Sequence, residues 1–234
     1  MAVEKMTNYG KGVVELLSSP EYKKIEKQMF ITILSSLWKE VGFIGLLKIM
    51  ILSRLELQKM RKHDWSKIAR RDVSKNIFEF TFKPIAMMKV LADLVGLEKA
   101  REIITEIYEK SEDKLAKKNS EVNLMIQPVR ELKASKDSFH CFKEYTKAAE
   151  NAMNNICEIK FIEDSKDALT WDVNYCFLHE VAKEYGNPAW CFPFCNVDDV
   201  VYPKIGEELG FIFRRSGTLS TGASKCDFRF ERIL

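Results

Sequence analysis

The chain lacks most of the features that would place it in a membrane, outside the cell or on a polyanion. Its first residues, MAVEKMTNYGKG, hold no apolar run of the kind a secretory signal requires, so export is not expected. The most hydrophobic stretch, from Met29 to Leu55, is interrupted by Lys39, Glu40 and Lys48. No uncharged run there reaches the roughly 18–20 residues needed to cross a bilayer. Charge of one sign is also scarce: 37 Lys and Arg face 34 Asp and Glu, a net of +3, too even to indicate a nucleic-acid partner. The basic stretch Lys59, Arg61, Lys62, Lys67, Arg70 and Arg71 has no interleaved aromatic motif and reads as a solvated helix face or loop. Only three histidines occur, His63, His140 and His179, far apart and without an HExxH pattern, which argues against histidine-based metal chemistry. A GxSxG nucleophile elbow is absent, and GTLSTGAS is too short and irregular for a phosphate-binding loop. No internal repeat or low-complexity segment is present.

What remains is an ordinary globular composition, 46% hydrophobic and 30% charged over 234 residues. A chain of that length buries roughly 70–75% of its unfolded surface. Six cysteines without an export signal point to a reducing, cytoplasmic setting, where free thiols, metal ligation or catalysis are expected in preference to a disulfide framework. The expected partner is a small molecule, with no nucleic acid and no transmembrane segment; self-association stays open.

Hydrophobic periodicity predicts an α+β fold: a helical N-terminal half packed with a small, mainly antiparallel C-terminal sheet that carries short helical insertions. Met29, Ile33 and Leu37, then Leu46, Met50 and Leu55, recur at helical spacing, with a break expected at Gly42 or Gly45. A second helical stretch is expected after Pro84, with Gly96 closing it before LEKAREIITEIYEKSEDKLAKK resumes the period. The polar segment from Lys118 to Lys136 connects a helical scaffold region, 1–136, to an α+β region, 137–234, the two forming one compact unit. SFHCFKEYTKAAENAM predicts a further helix, followed by strands at Cys157 to Asp164 and Ala168 to Cys176. A short helix ends at Gly186, another stretch follows Asp198 with Pro203 as a break or first-turn residue, and FIFRRSGT and KCDFRFERI alternate as two more strands.

Reactive residue types concentrate between Asp172 and Phe230. Counting by twos places Asp172, Asn174 and Cys176 on one face of their strand, opposite Trp171, Val173 and Tyr175; it places Asp227 and Arg229 opposite Cys226, Phe228 and Phe230. Aligned polar faces would line a cleft with an acid, an amide, a thiol and an Asp–Arg pair. Cys176 falls at a strand-to-helix junction, where the helix dipole favours thiolate, although a free cysteine is equally at home as a small buried hydrophobe. Cys191 and Cys195, in an aromatic loop, combine with Cys176 and His179 into a conceivable zinc set, or with Cys176 and Cys226 into an iron–sulfur set. Arg214 and Arg215 alternate on their strand, so only one can enter a shared cleft; Arg229 is a further candidate for a carboxylate.

The run GNPAWCFPFCNVDD, with Cys195 three residues before Asp198, the cysteine after a strand at Cys176, and the ending FRRSGTLSTGASKCDFRF resemble the L-2-amino-thiazoline-4-carboxylic acid hydrolase family. The resemblance covers about the last sixty residues, and Cys191 stands outside the pattern. It implies a cytoplasmic hydrolase of a small cyclic amidine or related C–N/C–S substrate that needs no cofactor. Under it, Cys195 or Cys176 would be the nucleophile and Asp198 or Asp227 the acid and base. Arg229 or Arg214 would hold a substrate carboxylate, and Thr218 with the turn near Gly222 would donate hydrogen bonds; Asn174 and Cys226 would line the cleft. The competing reading is a cysteine-lined sensor that binds a small molecule, zinc or an iron–sulfur cluster without turnover.

Overall fold

A computed structural model describes residues 20–68, 75–117, 132–153 and 156–233. Arg70, Arg71 and most of the connecting segment from Lys118 lie outside them. The described chain runs α1 (Pro20–Lys62), α2 (Lys75–Val95), α3 (Leu97–Lys117), α4 (Ser138–Ala152), β1 (Cys157–Asp164), β2 (Ala168–Cys176), α5 (Phe177–Tyr185), a 3-10 turn (Pro188–Cys191), α6 (Phe192–Leu209), β3 (Phe211–Arg214), a second 3-10 turn (Leu219–Thr221) and β4 (Cys226–Arg232). The predicted α+β class holds, with helices mostly before an antiparallel sheet of order β1-β2-β4-β3.

Of the two expected breaks in α1, the chain uses Gly42, whose φ of 68° and ψ of 178° lie where only glycine sits without strain. Leu37 on one side of it and Leu46 and Ile49 on the other turn inward. They meet Met88 and Leu91 of α2 and the Ala100, Ile103, Ile104 and Ile107 stripe of α3, whose spacing of three and four is that of one helix face. The rest of α1 is unusually apolar for an outward surface: Ile44 is 70% exposed, and Phe43, Ile51 and Trp38 are more than half exposed.

Two expectations about proline are corrected. Pro84 lies inside α2, which begins at Lys75, and Pro203 lies inside α6, which begins at Phe192, so neither starts or ends a helix. In both cases packing outweighs a missing backbone hydrogen bond. Phe82 and Ile85 flank Pro84 in the core, and Val200, Val201 and Tyr202 precede Pro203 against it.

The sheet's core face is aromatic. Trp171 is fully buried and stacks on Phe228 at 5.0 Å and on Phe230 at 4.9 Å, while Phe142 of α4 stacks on Phe211 at 4.3 Å. A second apolar cluster ties the regions together, joining Met60, Ile77 and Ile85 to Phe177, Val181 and Cys191. Buried aromatic side chains of this kind contribute roughly 1.5–3 kcal/mol each by area.

The β1–β2 register carries the feature that matters most for the site. Tyr175 pairs with Glu158 and Val173 with Ile159, which leaves Asn174 as an extra, unpaired residue; Ile162 on β1 is a second one. A bulge shifts side-chain parity by one. The prediction that Cys176 shares a face with Asp172 therefore fails: Cys176 pairs with Cys157 and packs with Ile159, Val173 and Cys226 against the aromatic core.

Candidate active site

Five cysteines converge where α5, α6 and the ends of β1, β2 and β4 meet. Cys157 opens β1, Cys176 ends β2 at the N-cap of α5, and Cys226 opens β4. The segment expected to be an aromatic loop is helical: a 3-10 turn runs through Cys191 into α6. Its start is fixed by Asn187, whose side chain accepts from the Ala189 N–H at 2.9 Å, and by prolines in the first turns. Cys191 and Cys195, four residues apart, consequently face the same way.

The thiols form a continuous chain of contacts. Cys176 is hydrogen-bonded to Cys157 and Cys191, and Cys195 to Cys191 and Cys226. The Cys226 sulfur also accepts from the Leu219 N–H at 3.3 Å. All are free cysteines. Bonds received from Cys191 and Cys226, aided by Ser220 and by the positive charge of Arg215, hold the Cys195 thiol well below its ordinary pKa. Bonds from Cys157 and Cys191 act the same way on Cys176. The donor thiols of Cys157, Cys191 and Cys226 are pushed up in turn. Among the described residues, no group of three or more His, Cys, Asp and Glu side chains has the arrangement of a metal site.

One turn beyond Cys195, Asp198 brings a carboxyl to the same flank of α6. Arg215, only 3% exposed, gathers this edge: its guanidinium lies 3.1 Å from Asp198 and 2.5 Å from Asp199, and it donates to the Cys195 carbonyl at 2.5 Å. Phe228 lies beneath it, 5.1 Å from ring centre to guanidinium. Burial pushes Asp198 up to about 7 although Arg215 opposes the shift; Cys195 and Asp199 add to the rise. The side chain of Asp198 keeps 29% of its surface accessible. That surface belongs to a cavity of about 180 Å³ between α4 and α6, lined among others by Phe142, Tyr145, Glu150, Asp198, Val201 and Tyr202. Glu150 is pushed up to about 8, by burial first and then by Asp198. Glu150 also acts on Cys157, and Cys195 on Asp198, so the acidic wall is within electrostatic reach of the thiol chain at two places.

Five residues named from sequence come together here: Cys176, Cys191, Cys195, Cys226 and Asp198. The others sit elsewhere. Asp227, on the opposite side of β4 from Cys226, accepts from the Ser216 N–H and hydroxyl, both at 2.9 Å, and from the Gly217 N–H at 3.1 Å. Despite the cost of burial, these bonds hold its carboxyl below the usual range, and it pins the turn. Arg229 donates to Asp172 at 2.6 Å and to the Trp171 carbonyl at 2.8 Å. Arg214 points outward, 65% exposed, beside Glu231. Of the two adjacent arginines, Arg215 is the one that enters. Asn174 is the exposed bulge residue. Thr218 is buried, caps the second 3-10 turn and contacts the Ser220 hydroxyl at 2.9 Å, one step from Cys195.

Glu150, Cys157, Ser220 and Tyr202 were not singled out from sequence. Glu150 had a usable signal: it follows the Phe142, Tyr145, Ala149 stripe of α4, where an acid is out of place on a face that turns inward.

Two crystal structures resemble the chain distantly. The H-NOX protein from S. oneidensis in the Fe(II)NO ligation state gives a TM-score of 0.39 at 10% identity, over 88% of this chain and 98% of that one. The Fe(II) unliganded H-NOX protein from K. algicida gives 0.36 at 11% identity, over 88% and 95%. A search of curated proteins found no match. The family model of L-2-amino-thiazoline-4-carboxylic acid hydrolase, by contrast, matches residues 57–230, a span that takes in every residue of the site, and the chain belongs to that family.

Proposed function

We propose that the chain hydrolyses a small cyclic amidine or a related C–N/C–S substrate, with Cys195 as nucleophile and Asp198, which lines the cavity between α4 and α6, as proton carrier. One observation carries this reading: a depressed thiol and a carboxyl that titrates near neutrality lie one helical turn apart, both tied to the buried Arg215. Family membership supports the hydrolase class.

The chemistry balances with these groups alone. The Cys195 thiolate adds to the amidine carbon of a 2-amino-thiazoline, and the bond from that carbon to the ring sulfur breaks. Protonated Asp198 gives its proton to the departing sulfur. Water then adds to the carbon now held by Cys195, losing a proton to Asp198, and the bond to Cys195 breaks. The products are an N-carbamoyl group, a free substrate thiol and the starting thiolate. Arg215 fixes the α6 turn and favours the Cys195 thiolate, burial keeps Asp198 protonated against it, and the remaining thiols supply the hydrogen bonds that lower the nucleophile's pKa.

Release of thiol from 2-amino-thiazolines, followed with a thiol-reactive dye, tests the reading. Cys195→Ala and Asp198→Asn should each lower kcat about 10³-fold, and Cys176→Ala about tenfold. Full turnover by both cysteine variants would remove covalent catalysis. Absence of thiol release, with stoichiometric zinc, or iron with sulfide, in anaerobically purified protein, would favour the sensor reading.

A further inference from the structure

We infer that the outer face of α1 seats the chain on a membrane surface, lying in the interface of a bilayer that carries anionic headgroups. This is independent of the hydrolase reading. Beyond Gly42 the helix is apolar on two opposite sides. Leu46, Ile49 and Met60 turn into the core. Half a turn round from them, Ile44, Leu47, Ile51 and Leu55, three and four residues apart, form a second stripe whose members are between 41% and 70% exposed. A helix that is apolar all round is one that is covered on both sides, and a continuous exposed stripe of this kind marks a surface that something occupies. Beside the start of the stripe, across the Gly42 break, the rings of Trp38 and Phe43 lie 5.8 Å apart, and both are more than half exposed. Exposed Trp and Phe next to an aliphatic stripe are the side chains that interfacial helices place at headgroup depth.

Charge selects the occupant. Lys48 and Arg54, both exposed, flank the stripe, one on each side. From Phe43 to Lys62 the helix holds five cations, Lys48, Arg54, Lys59, Arg61 and Lys62, against a single acid, Glu56. That acid is turned inward, where it accepts from the Tyr185 hydroxyl at 2.8 Å. On the other arm Lys39 is exposed next to Trp38, while Glu40 reaches towards Lys99 of α3 at 3.9 Å. A second copy of this chain laid against the stripe would bring these cations up to their own equivalents, with no acid of the stripe to separate them. Anionic lipid satisfies both parts of the face at once: acyl chains take the stripe and headgroups take Lys48 and Arg54. Among the described residues no helix is long and apolar enough to cross a membrane, and the inner stripe of α1 is held by α2 and α3, so the helix lies in the plane of the interface.

Sedimentation of the full chain with phosphatidylcholine vesicles, alone or with about one third phosphatidylglycerol, tests the site. The chain should bind the anionic vesicles about tenfold more tightly than the neutral ones, and salt at about 0.5 M should reverse most of the difference. Ile44→Gln with Ile51→Gln should weaken binding to anionic vesicles roughly tenfold or more. Both side chains are exposed, so the double variant should unfold in urea at the wild-type midpoint. Lys48→Glu with Arg54→Glu should remove the preference for anionic lipid without touching the stripe. Tryptophan emission should shift to the blue on binding, and Trp38→Phe should bind while losing most of that shift. Sedimentation with neither vesicle, equal affinity for both, or affinity unchanged in the two double variants would overturn the inference. So would a blue shift that survives in Trp38→Phe, which would put another face on the bilayer. A dimer in light scattering without lipid, broken by the Ile44→Gln and Ile51→Gln pair, would overturn it in favour of self-association.

Discussion

Cys157 and Cys176 face each other across β1 and β2 as a non-hydrogen-bonded pair, bracketed by the Phe177 N–H donating to the Ile156 carbonyl at 2.7 Å. Such pairs bring Cα atoms to about 4.5 Å, within the range a disulfide spans. Treatment with diamide, which takes up the two hydrogens lost when two thiols join, should link Cys157 to Cys176. Peptide mapping under non-reducing conditions checks it; a Cys191–Cys195 link in its place would show that the helical pair is the more readily oxidised. Because Cys176 is two contacts from Cys195, the oxidised protein should keep part of its activity.

Arg215 bears on reactivity and stability together. Iodoacetamide should label Cys195 measurably at pH 6, where an ordinary thiol is almost wholly protonated. Arg215→Lys keeps the charge but not the fork that reaches Asp198, Asp199 and the Cys195 carbonyl, and should slow labelling at that pH about tenfold. Arg215→Met should cost about 2–4 kcal/mol in urea unfolding, since it leaves two carboxylates beside each other without their cation.

The raised pKa of Glu150 has a definite sign in stability. Its folded-state value, about 8, lies above that of an unfolded glutamate, so the folded chain holds the extra proton between pH 4.5 and 8. The stabilisation is complete below pH 4.5 and is lost as pH climbs through 8. Glu150→Gln should remove that loss: the variant should gain on wild type as pH rises from 5 to 8, by at most about 1.4 kcal/mol per pH unit. Parallel stability curves would mean that Glu150 is ionised and solvated in the native state.

Gly206 tests the joint between α6 and β3. A Cβ there would lie 2.4 Å from the Phe211 carbonyl oxygen and 3.1 Å from its ring. Backbone must therefore move, and Phe211 is anchored in the aromatic core. Gly206→Ala should destabilise by about 2–3 kcal/mol, a fall in Tm of roughly 4–12 °C. A change under 1 °C would show that β3 shifts freely.

Much of the fold is legible because apolar periodicity and turn residues are local signals. The limits of β1 and β2, Gly186 closing α5, and the separation of α2 from α3 at Gly96 follow from composition within a few residues. The two prolines mislead because cooperative packing around Phe82 and Tyr202 is not a local property. Within the site, Cys195 and Asp198 can be related by counting along one helix. Arg215 cannot, since its role depends on β3 crossing beside α6, and the Glu150 to Asp198 relation spans two elements separated by the whole of β1 and β2.

The bulge at Asn174 has a consequence for descent as well as for geometry. The thiol at Cys176 reaches the core side of the sheet only because β2 is one residue longer than its partner across that stretch. A relative lacking a residue between Val173 and Cys176 would preserve every cysteine in an alignment and still turn this one to the other side. Spacing, as much as residue identity, is inherited chemistry in this protein.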